Sequence, residues 1–405
     1  MYTKRHIEKT IEKAAHMFPA MVLSGPRQVG KTTLLKHYAN DNYKYVTFDD
    51  QFILRTAAED PLGFIKTYAD KTIIDEVQQA PEIFSALKIS IDENRKPGKY
   101  LITGSQRFQL MSDVSESLAG RTALLDLYGY SLRELNGIDF YEPFLPTKEY
   151  LEGRKDSVVE NNNIWETIHK GSFPELYNRD MDWEMFYSNY VKLYIEKDVR
   201  QLAMIQDELL FSKFMIIMAS RSGELLNYGA IARDLSITVD TVKRWTSILK
   251  ASGIVILLEP YFNNALKRAT KTPKIYFTDT GLACYLSRWN TPDTLKNGAR
   301  AGHIFENFIV MEIIKSYVNA GKDISNIYFY RDKSQHEIDL IINDNNVLYP
   351  IEIKSSSTPH KEWANSFKYI ENIPGTETGP GTLICQYDKQ VYINENLLVL
   401  PISYL

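Results

Sequence analysis

The sequence predicts an α/β protein in four parts: a parallel sheet with helices, a helical connector, a helix-turn-helix domain and a second α/β domain. Three observations lead to this class. Short apolar runs alternate with helical patterns in the first third of the chain, two short helices precede a strand in the middle, and a hairpin pattern follows a long helix near the end. Alternating strands and helices are typical of a parallel sheet covered on both faces. The predicted boundaries are 1–135, 136–217, 218–280 and 281–405.

The composition is that of an ordinary globular protein. The 405 residues are 44% hydrophobic and 24% charged, which is enough apolar material for several cores. A formal net charge of −4 argues against a protein that coats nucleic acid over its whole surface, but it is compatible with one basic patch. Cys284 and Cys385 are far apart and lack metal-type spacing, so we expect a reduced, cytoplasmic protein. No stretch has the length of a membrane-spanning helix, and we expect no membrane partner.

The first element is a phosphate-binding loop between a strand and a helix. It has the pattern G-x-x-x-x-G-K-T, in which glycines let backbone N–H groups point at an anion and the helix N-terminus adds partial positive charge. Lys31 can reach the β- and γ-phosphates, for binding and for catalysis, and Thr32 can ligate Mg²⁺. The pattern predicts binding of ATP with Mg²⁺. The candidate nucleotide-binding residues of the loop are Gly25, Pro26, Arg27, Gln28, Val29, Gly30, Lys31, Thr32 and Thr33.

The next strands end in side chains suited to hydrolysis. One ends in Asp75 and Glu76: Asp75 is placed to hold Mg²⁺ through water, and Glu76 to orient and deprotonate the attacking water. The following strand leads to Ser105, which is suited to sensing the γ-phosphate. Because parallel strands bind ligands at their carboxyl ends, we expect all three side chains beside the phosphate loop. Arg121 is a candidate for stabilising transition-state charge in its own chain or in a neighbour; the alternative is a surface arginine paired with a carboxylate.

Six short stretches carry a family resemblance. They are residues 25–32, 73–76, 103–105, 118–121, 171–175 and 194–199. Together they resemble a prokaryotic family of AAA-type ATPases, P-loop proteins whose members carry a C-terminal domain of unknown function. The resemblance covers nearly the whole chain, apart from residues 140–165. It implies an ATP-binding protein in which the role of Arg121 is reasonable, and it defines no substrate.

The middle of the chain is predicted to be a helical connector followed by a winged helix-turn-helix. Residues 141–163 are polar, and we expect a surface excursion there. A short helix, a turn and a second helix over 239–251 lead into a strand, in the order typical of that motif. Residues 231–274 hold eight Lys and Arg against three acids, an excess of five that suits phosphate backbones. The alternatives are a protein-docking module and a structural lid. The candidate DNA contacts are Lys243, Arg244 and Lys250.

The last domain carries the pattern of a metal-dependent nuclease. A hairpin brings Asp339 near Glu352 and Lys354, which are two positions apart and therefore face the same side of a strand. Glu306 lies on the preceding helix. Carboxylates can hold Mg²⁺, and the lysine can activate water for phosphodiester cleavage. The pattern resembles the restriction-endonuclease-like superfamily, whose frame also serves as a binding platform without activity.

Three functions are therefore open. We favour an ATP-hydrolysing switch or motor that is associated with DNA. The second is an ATP-controlled scaffold that binds a protein partner, or further copies of itself, and never touches DNA. The third is a Mg²⁺-dependent DNA nuclease gated by the ATPase. A kinase of small molecules is disfavoured by the pair Asp75 and Glu76 and by the large C-terminal half.

Overall fold

The computed structural model describes residues 2–159, 163–195, 207–262 and 272–405. Within these ranges the α-helices are Glu8–Met17, Lys31–Ala39, Gln51–Glu59, Pro61–Thr67, Ile83–Glu93, Arg107–Ser117, Leu132–Leu135, Lys148–Arg154, Ile164–Lys170, Glu175–Asn178, Trp183–Tyr190, Glu208–Ser220, Tyr228–Leu235, Val239–Ala251, Thr280–Leu286, Pro292–Lys296 and Ala301–Asn319. The strands, numbered β1 to β14, are Ala20–Ser24, Lys44–Thr47, Thr72–Asp75, Tyr100–Thr103, Thr122–Asp126, Val255–Leu258, Lys274–Phe277, Ile327–Arg331, Glu337–Asp344, Val347–Ile353, Glu377–Thr378, Gly381–Cys385, Val391–Asn394 and Leu397–Pro401.

The first domain is built on a five-stranded sheet in the order β2-β3-β4-β1-β5, in which all pairs are parallel. Strand β1, which leads into the phosphate loop, therefore lies between two neighbours. Its Met21 and Leu23 belong to the main apolar core, whereas Ala20 and Val22 belong to a second core on the other face. The alternation confirms the predicted parallel sheet with both faces covered.

The connector differs from the prediction in one segment. Residues 141–163 were expected on the surface, but Phe144, Tyr150 and Arg154 are buried there. The Arg154 guanidinium donates hydrogen bonds to the backbone carbonyls of residues 403–405, so this segment packs against the end of the chain. The prediction was wrong because a sequence pattern shows a charged side chain but not the carbonyls that satisfy its donors.

The middle of the chain contains a helix-turn-helix segment, residues 228–258 and 272–277. The second of its helices, Val239–Ala251, is called the basic helix below, and its bounds agree with the prediction. The side chain of Thr238 caps it by accepting a hydrogen bond from the Thr241 N–H, and the strands β6 and β7 pair in antiparallel fashion after it. Trp245 and Ile248 of this helix are buried in the core, in keeping with their helical spacing from Leu249.

Some predictions for this region fall outside the described residues. The basic residues Lys267, Arg268 and Lys271 do so, and so does the family-like stretch 194–199 beyond residue 195. One further prediction was wrong: Lys274, which we had counted in the basic patch, is only 2% exposed. Its ammonium is paired with a carboxylate and is not available to a phosphate backbone.

The last domain is a mixed sheet in the order β13-β14-β12-β10-β9-β8, with β11 paired to β10. The predicted hairpin is present, since β9 and β10 are antiparallel neighbours. The helix Ala301–Asn319, called the central helix below, is buried along almost its whole length. The α/β class of this domain is thus confirmed, while its assignment to the nuclease-like superfamily stays a prediction.

One apolar core passes through all parts of the chain. It includes Leu23 of the first sheet, Phe173 of the connector, Trp245 of the basic helix, Phe305 of the central helix and Leu400 of the last sheet. Both cysteines are buried and unpaired. In the described ranges, no helix combines the length and the apolar character needed to cross a membrane.

Candidate nucleotide-binding site

The phosphate loop is fixed by two glycines and by its close approach to a neighbouring strand. Gly25 has a φ of +144°, and a Cβ atom there would lie 2.1 Å from the carbonyl oxygen of Leu127. Gly30 has a φ of +91° and begins the helix Lys31–Ala39. Gly25 is therefore required for both space and backbone conformation, and Gly30 for its backbone conformation. The loop has the shape in which backbone N–H groups can surround a phosphate.

A buried arginine is hydrogen-bonded to the backbone of the phosphate loop. Arg5 donates one hydrogen bond to the carbonyl of Val29 at 3.0 Å and another to the carboxylate of Glu134, also at 3.0 Å. The side chains of Arg5 and Glu134 are both almost fully buried. Because breaking a buried pair leaves an uncompensated charge, this contact holds the loop firmly. Sequence reasoning missed Arg5, which lies in an amphipathic N-terminal helix pattern with no motif of its own.

Lys31 is placed as the phosphate-binding lysine. Its ammonium is buried and donates to the carbonyls of Gly25 at 3.0 Å and Pro26 at 2.7 Å. Burial lowers the pKa of Lys31 to about 8, although the nearby carboxylate of Glu76 acts in the opposite direction. A phosphate group beside this ammonium would favour its charged form. A bound nucleotide would therefore meet a positively charged Lys31.

Thr32 and Asp75 meet as predicted. The Thr32 hydroxyl donates to Asp75 Oδ2 at 2.9 Å, and the Tyr45 hydroxyl donates to the same oxygen at 2.8 Å. Burial raises the pKa of Asp75. Hydroxyl and carboxylate oxygens are the ligands that Mg²⁺ prefers, and these two lie next to the phosphate loop, so the donor set fits that ion. Tyr45 was not predicted, because an aromatic residue in a strand reads as a packing residue.

Glu76 is held by the next strand. Its Oε2 atom accepts hydrogen bonds from the Ser105 hydroxyl at 2.7 Å, the Ser105 N–H at 3.2 Å and the Gln78 amide at 2.5 Å. The residue itself has a φ of +53°, in the left-handed region. Asp75, Glu76 and Ser105 therefore gather at one edge of the sheet, as the strand order requires. Gln78 was missed, although it lies only two residues after Glu76 in the sequence.

Arg121 lies at the opposite edge of the sheet from the phosphate loop. Arg121 directly precedes the first residue of β5. The last residue of that strand, Asp126, pairs with Ser24, which directly precedes the phosphate loop. A strand of this length spans about 15 Å, which is beyond the reach of an arginine side chain. The guanidinium instead makes two hydrogen bonds of 2.8 Å to Asp92. The predicted role of Arg121 in its own chain is therefore wrong, and a role toward a neighbouring chain stays a prediction.

Arg107 occupies the place that Arg121 was expected to fill. It makes a bidentate contact to Asp126 at 2.8 and 2.9 Å and donates to the Ser24 hydroxyl at 3.1 Å. Its positive charge also contributes to the lowered pKa of Lys31, so it lies within electrostatic reach of the phosphate site. The sequence signal was available, because Arg107 stands two residues after Ser105.

The same arginine connects the nucleotide site to the basic helix. Arg107 donates to the last carbonyls of that helix, those of Lys250 at 3.3 Å and Ala251 at 3.5 Å. A Cβ atom on Gly253 would lie 3.2 Å from the ring of Pro26 in the phosphate loop. The phosphate loop and the end of the basic helix are thus in direct contact, and any movement of one must be accommodated by the other.

The predicted DNA contacts lie on the surface. Lys243, Arg244 and Lys250 are all exposed. The hydrogen bonds from Arg107 reach the carboxyl end of the basic helix, whereas Lys243 and Arg244 lie in its amino-terminal half. In a helix-turn-helix, the amino-terminal residues of the second helix are those that enter the major groove.

The predicted nuclease residues come together in the last domain. Lys354 donates to Asp339 at 3.1 Å and to Glu352 at 2.5 Å, and Asp339 also accepts from the backbone N–H of Ile353 at 2.8 Å. Burial is the main cause that raises the pKa of Glu352 to about 8, and the negative charges of Asp339 and Glu306 act in the same direction. Glu306 is therefore close enough to this group to act on it electrostatically. Nevertheless, the described residues contain no group of three His, Cys, Asp or Glu side chains arranged to hold a metal ion.

Three family models match the chain in succession. Residues 17–136 match an AAA domain, residues 161–293 match the domain of unknown function DUF8612, and residues 301–405 match the domain of unknown function DUF4143. The matches support an ATP-binding, AAA-type ATPase that carries a C-terminal DUF4143 domain. They confirm the resemblance to that extent. The winged helix and the nuclease-like fold remain predictions.

Two similar proteins are known from mycobacteria. The uncharacterised proteins Mb2031c of Mycobacterium bovis and Rv2008c of Mycobacterium tuberculosis are each 27% identical to this chain over 358 residues, or 88% of this chain and 75% of theirs. Among solved structures, the chain is similar to the Walker-type ATPase PABY2304 of Pyrococcus abyssi, with a TM-score of 0.44 and 15% identity over 71% of this chain and 96% of that one. A RuvB variant of Thermotoga maritima has a TM-score of 0.31 and 15% identity, over 62% and 88%. Both TM-scores are low, and neither likeness supports a conclusion about function.

Proposed function

We propose that the chain hydrolyses Mg²⁺-ATP and uses the nucleotide to control the position of its helix-turn-helix segment. The observation that carries the hydrolysis is the convergence of Lys31, Thr32, Asp75, Glu76 and Ser105 at one edge of the sheet. Mg²⁺, when bound, would neutralise charge on the β- and γ-phosphates, with Thr32 and Asp75 as its protein partners. Everything else in the reaction falls to side chains of the chain itself.

Those side chains divide the work as follows. The Lys31 ammonium and the loop N–H groups hold the phosphates in line for attack. Glu76 orients a water and accepts its proton, and the Ser105 hydroxyl that bonds Glu76 keeps the carboxylate at the phosphate edge. With three donors bonded to its Oε2 atom, the Glu76 side chain is restrained in this structure. Release of one of those bonds on ATP binding would make the base available.

The control of position rests on Arg107 and on the contact between Pro26 and Gly253. A γ-phosphate at the end of the loop attracts the Arg107 guanidinium more strongly than do the partial charges of the helix carbonyls. We therefore expect ATP to weaken the bonds from Arg107 to Lys250 and Ala251, which frees the basic helix from the first domain. Hydrolysis would restore the contact.

The first measurement is phosphate release from ATP and Mg²⁺ by the purified chain. Lys31→Ala should lower the rate by at least about 100-fold, because it removes a positive charge from the developing transition state. Lys88→Ala, at an exposed lysine of the same domain, is the matched control and should leave the rate unchanged. A wild-type chain that binds no ATP, or a Lys31→Ala variant with full activity, would refute the proposal.

We further propose that the basic helix binds the backbone of duplex DNA. The exposure of Lys243 and Arg244, in the amino-terminal half of the helix, is the observation in favour. The competing function is a protein-docking scaffold, for which the same face would bind an acidic protein surface. DNA that stimulates phosphate release favours the first, and turnover that is indifferent to DNA favours the second.

Neutralising both residues should weaken DNA binding. In Lys243→Ala with Arg244→Ala, two phosphate contacts are lost, so the slope of log affinity against log salt should decrease in magnitude by about 2. Lys213→Ala with Lys296→Ala removes the same charge from exposed sites elsewhere and should leave the slope as it is. Fluorescence anisotropy with a labelled duplex at several salt concentrations measures the slopes of both double variants. Equal slopes in the two double variants would assign any DNA binding to another surface.

A further inference from the structure

The acidic cluster of the last domain contains a cation that belongs to another part of the chain. Lys274 begins strand β7 of the helix-turn-helix segment, yet its side chain enters the C-terminal domain. The ammonium lies 2.9 Å from Glu306 Oε1, 2.6 Å from Glu337 Oε1 and 4.0 Å from Asp339 Oδ1. The Lys274 side chain is only 3% exposed, so it is not a surface residue that happens to reach these carboxylates.

Two further cations pair with the same group of carboxylates. Lys354 bridges Asp339 and Glu352 from the other side, and Arg331 pairs with the second oxygen of Glu337. Three positive groups thus face four carboxylates. Glu352 Oε2 is buried without a hydrogen-bond partner, in the part of the chain that the structure describes.

A divalent metal does not fit this arrangement. To reach the same carboxylates it would have to lie within a few ångströms of the Lys274 ammonium, and two cations so close in a buried site repel each other strongly. Moreover, Glu306 Oε1 already accepts two hydrogen bonds, from Lys274 and from the Tyr276 hydroxyl at 2.6 Å. The nuclease prediction placed Mg²⁺ on the carboxylates of Asp339 and Glu352, with Glu306 on the earlier helix, and the residues present disagree with it.

We propose that the Lys274 ammonium takes the place of a divalent metal ion, so that the acidic cluster joins the helix-turn-helix segment to the C-terminal domain and has no nuclease function. The cluster is then an internal joint: strand β7 supplies the cation, and the central helix and strand β9 supply the carboxylates. This proposal does not depend on ATP hydrolysis.

The test measures Mn²⁺ binding to the nucleotide-free chain by the loss of the electron paramagnetic resonance signal of the free ion. The wild-type chain and the Asp339→Asn variant should bind Mn²⁺ equally, which means that the wild type has no Mn²⁺ site that depends on Asp339. Lys274→Met, which keeps the length of the stem and removes the charge, should bind one Mn²⁺ at least tenfold more tightly than the wild type. Adding Asp339→Asn to that variant should abolish the gain.

A matched control is provided by a second buried lysine of the same region. Lys315 pairs with Glu312 on the central helix, and both side chains are almost fully buried. Lys315→Met removes a buried charge in the same way, but among the described residues the ion pair of Lys315 is with the single carboxylate of Glu312, so it should gain no Mn²⁺ binding. A gain equal to that of Lys274→Met would show non-specific binding to a loosened protein and would overturn the proposal.

Loss of a buried charge can prevent folding, so a second variant is needed. Lys274→Met with Glu337→Gln removes one carboxylate along with the ammonium and leaves Glu306, Asp339 and Glu352 to hold an ion. It should fold, as judged by circular dichroism, and its unfolding temperature should rise with Mn²⁺ concentration. The proposal fails if the wild type binds Mn²⁺ through Asp339, or if neither Lys274 variant gains the ion.

Discussion

Replacing Glu76 with glutamine is expected to slow ATP hydrolysis by about 10²- to 10⁴-fold while ATP binding persists. Glutamine keeps the shape of the side chain and its carbonyl oxygen can still accept a bond from Ser105, but an amide cannot take a proton from water. Single-turnover phosphate release gives the rate of the chemical step. Titration with a fluorescent ATP analogue gives the affinity, which should stay within about threefold of wild type.

The matched control is Glu82→Gln, which changes an exposed carboxylate six residues further along. It should leave both quantities unchanged. If Glu76→Gln hydrolyses ATP at the wild-type rate, another group is the base and the restraint of Glu76 by Ser105 and Gln78 has no catalytic meaning. If the variant instead loses ATP binding, its main role is structural.

Replacing Arg107 with alanine is expected to free the basic helix from the nucleotide site in the absence of ATP. Hydrogen bonds to a charged group each contribute about 1.5–3 kcal/mol, so loss of this arginine should raise local opening by about tenfold or more. Hydrogen exchange of the amides near the end of the helix, at residues 248–253, measures that opening. In the wild type, ATP should accelerate the hydrogen exchange of these amides. The same acceleration is expected in Glu76→Gln, which binds ATP but hydrolyses it slowly and therefore stays in the ATP-bound form.

In Arg107→Ala, exchange should already be fast and should no longer respond to ATP, although ATP still binds. Arg121→Ala is the matched control, because it removes an arginine–carboxylate pair from the same domain at the edge remote from the nucleotide. Its exchange should follow that of the wild type. Retention of the ATP response in Arg107→Ala would separate the basic helix from the nucleotide cycle and leave a plain ATPase.

Local patterns in the sequence were sufficient for much of the fold. The bounds of Val239–Ala251 could be predicted because Thr238 offers a capping side chain at one end and Gly253 a left-handed residue at the other. The gathering of Asp75, Glu76 and Ser105 followed from topology alone, since parallel strands end at a common edge. Each of these inferences uses residues close in sequence or a rule of strand order.

The predictions that failed concern side chains whose partners lie far away in the sequence. Arg107 bonds to carbonyls 143 and 144 residues further along, and Lys274 pairs with Glu306 across a domain boundary. In a sequence, such side chains look like ordinary surface charges, and Lys274 was counted accordingly in a DNA-binding patch. Arg121 failed for a related reason: its position after a glycine was visible, but the direction of the strand beside it decides which edge it occupies.

The shared apolar core has a consequence for how this architecture changes over time. Leu23, Phe173, Trp245, Phe305 and Leu400 lie in one continuous interior, although three separate family models match the chain. A recombination event that replaced only the C-terminal domain would expose the faces that it covers and would separate Lys274 from its carboxylates. The three parts must therefore be inherited together, and substitutions at their contacts should occur in compensating pairs.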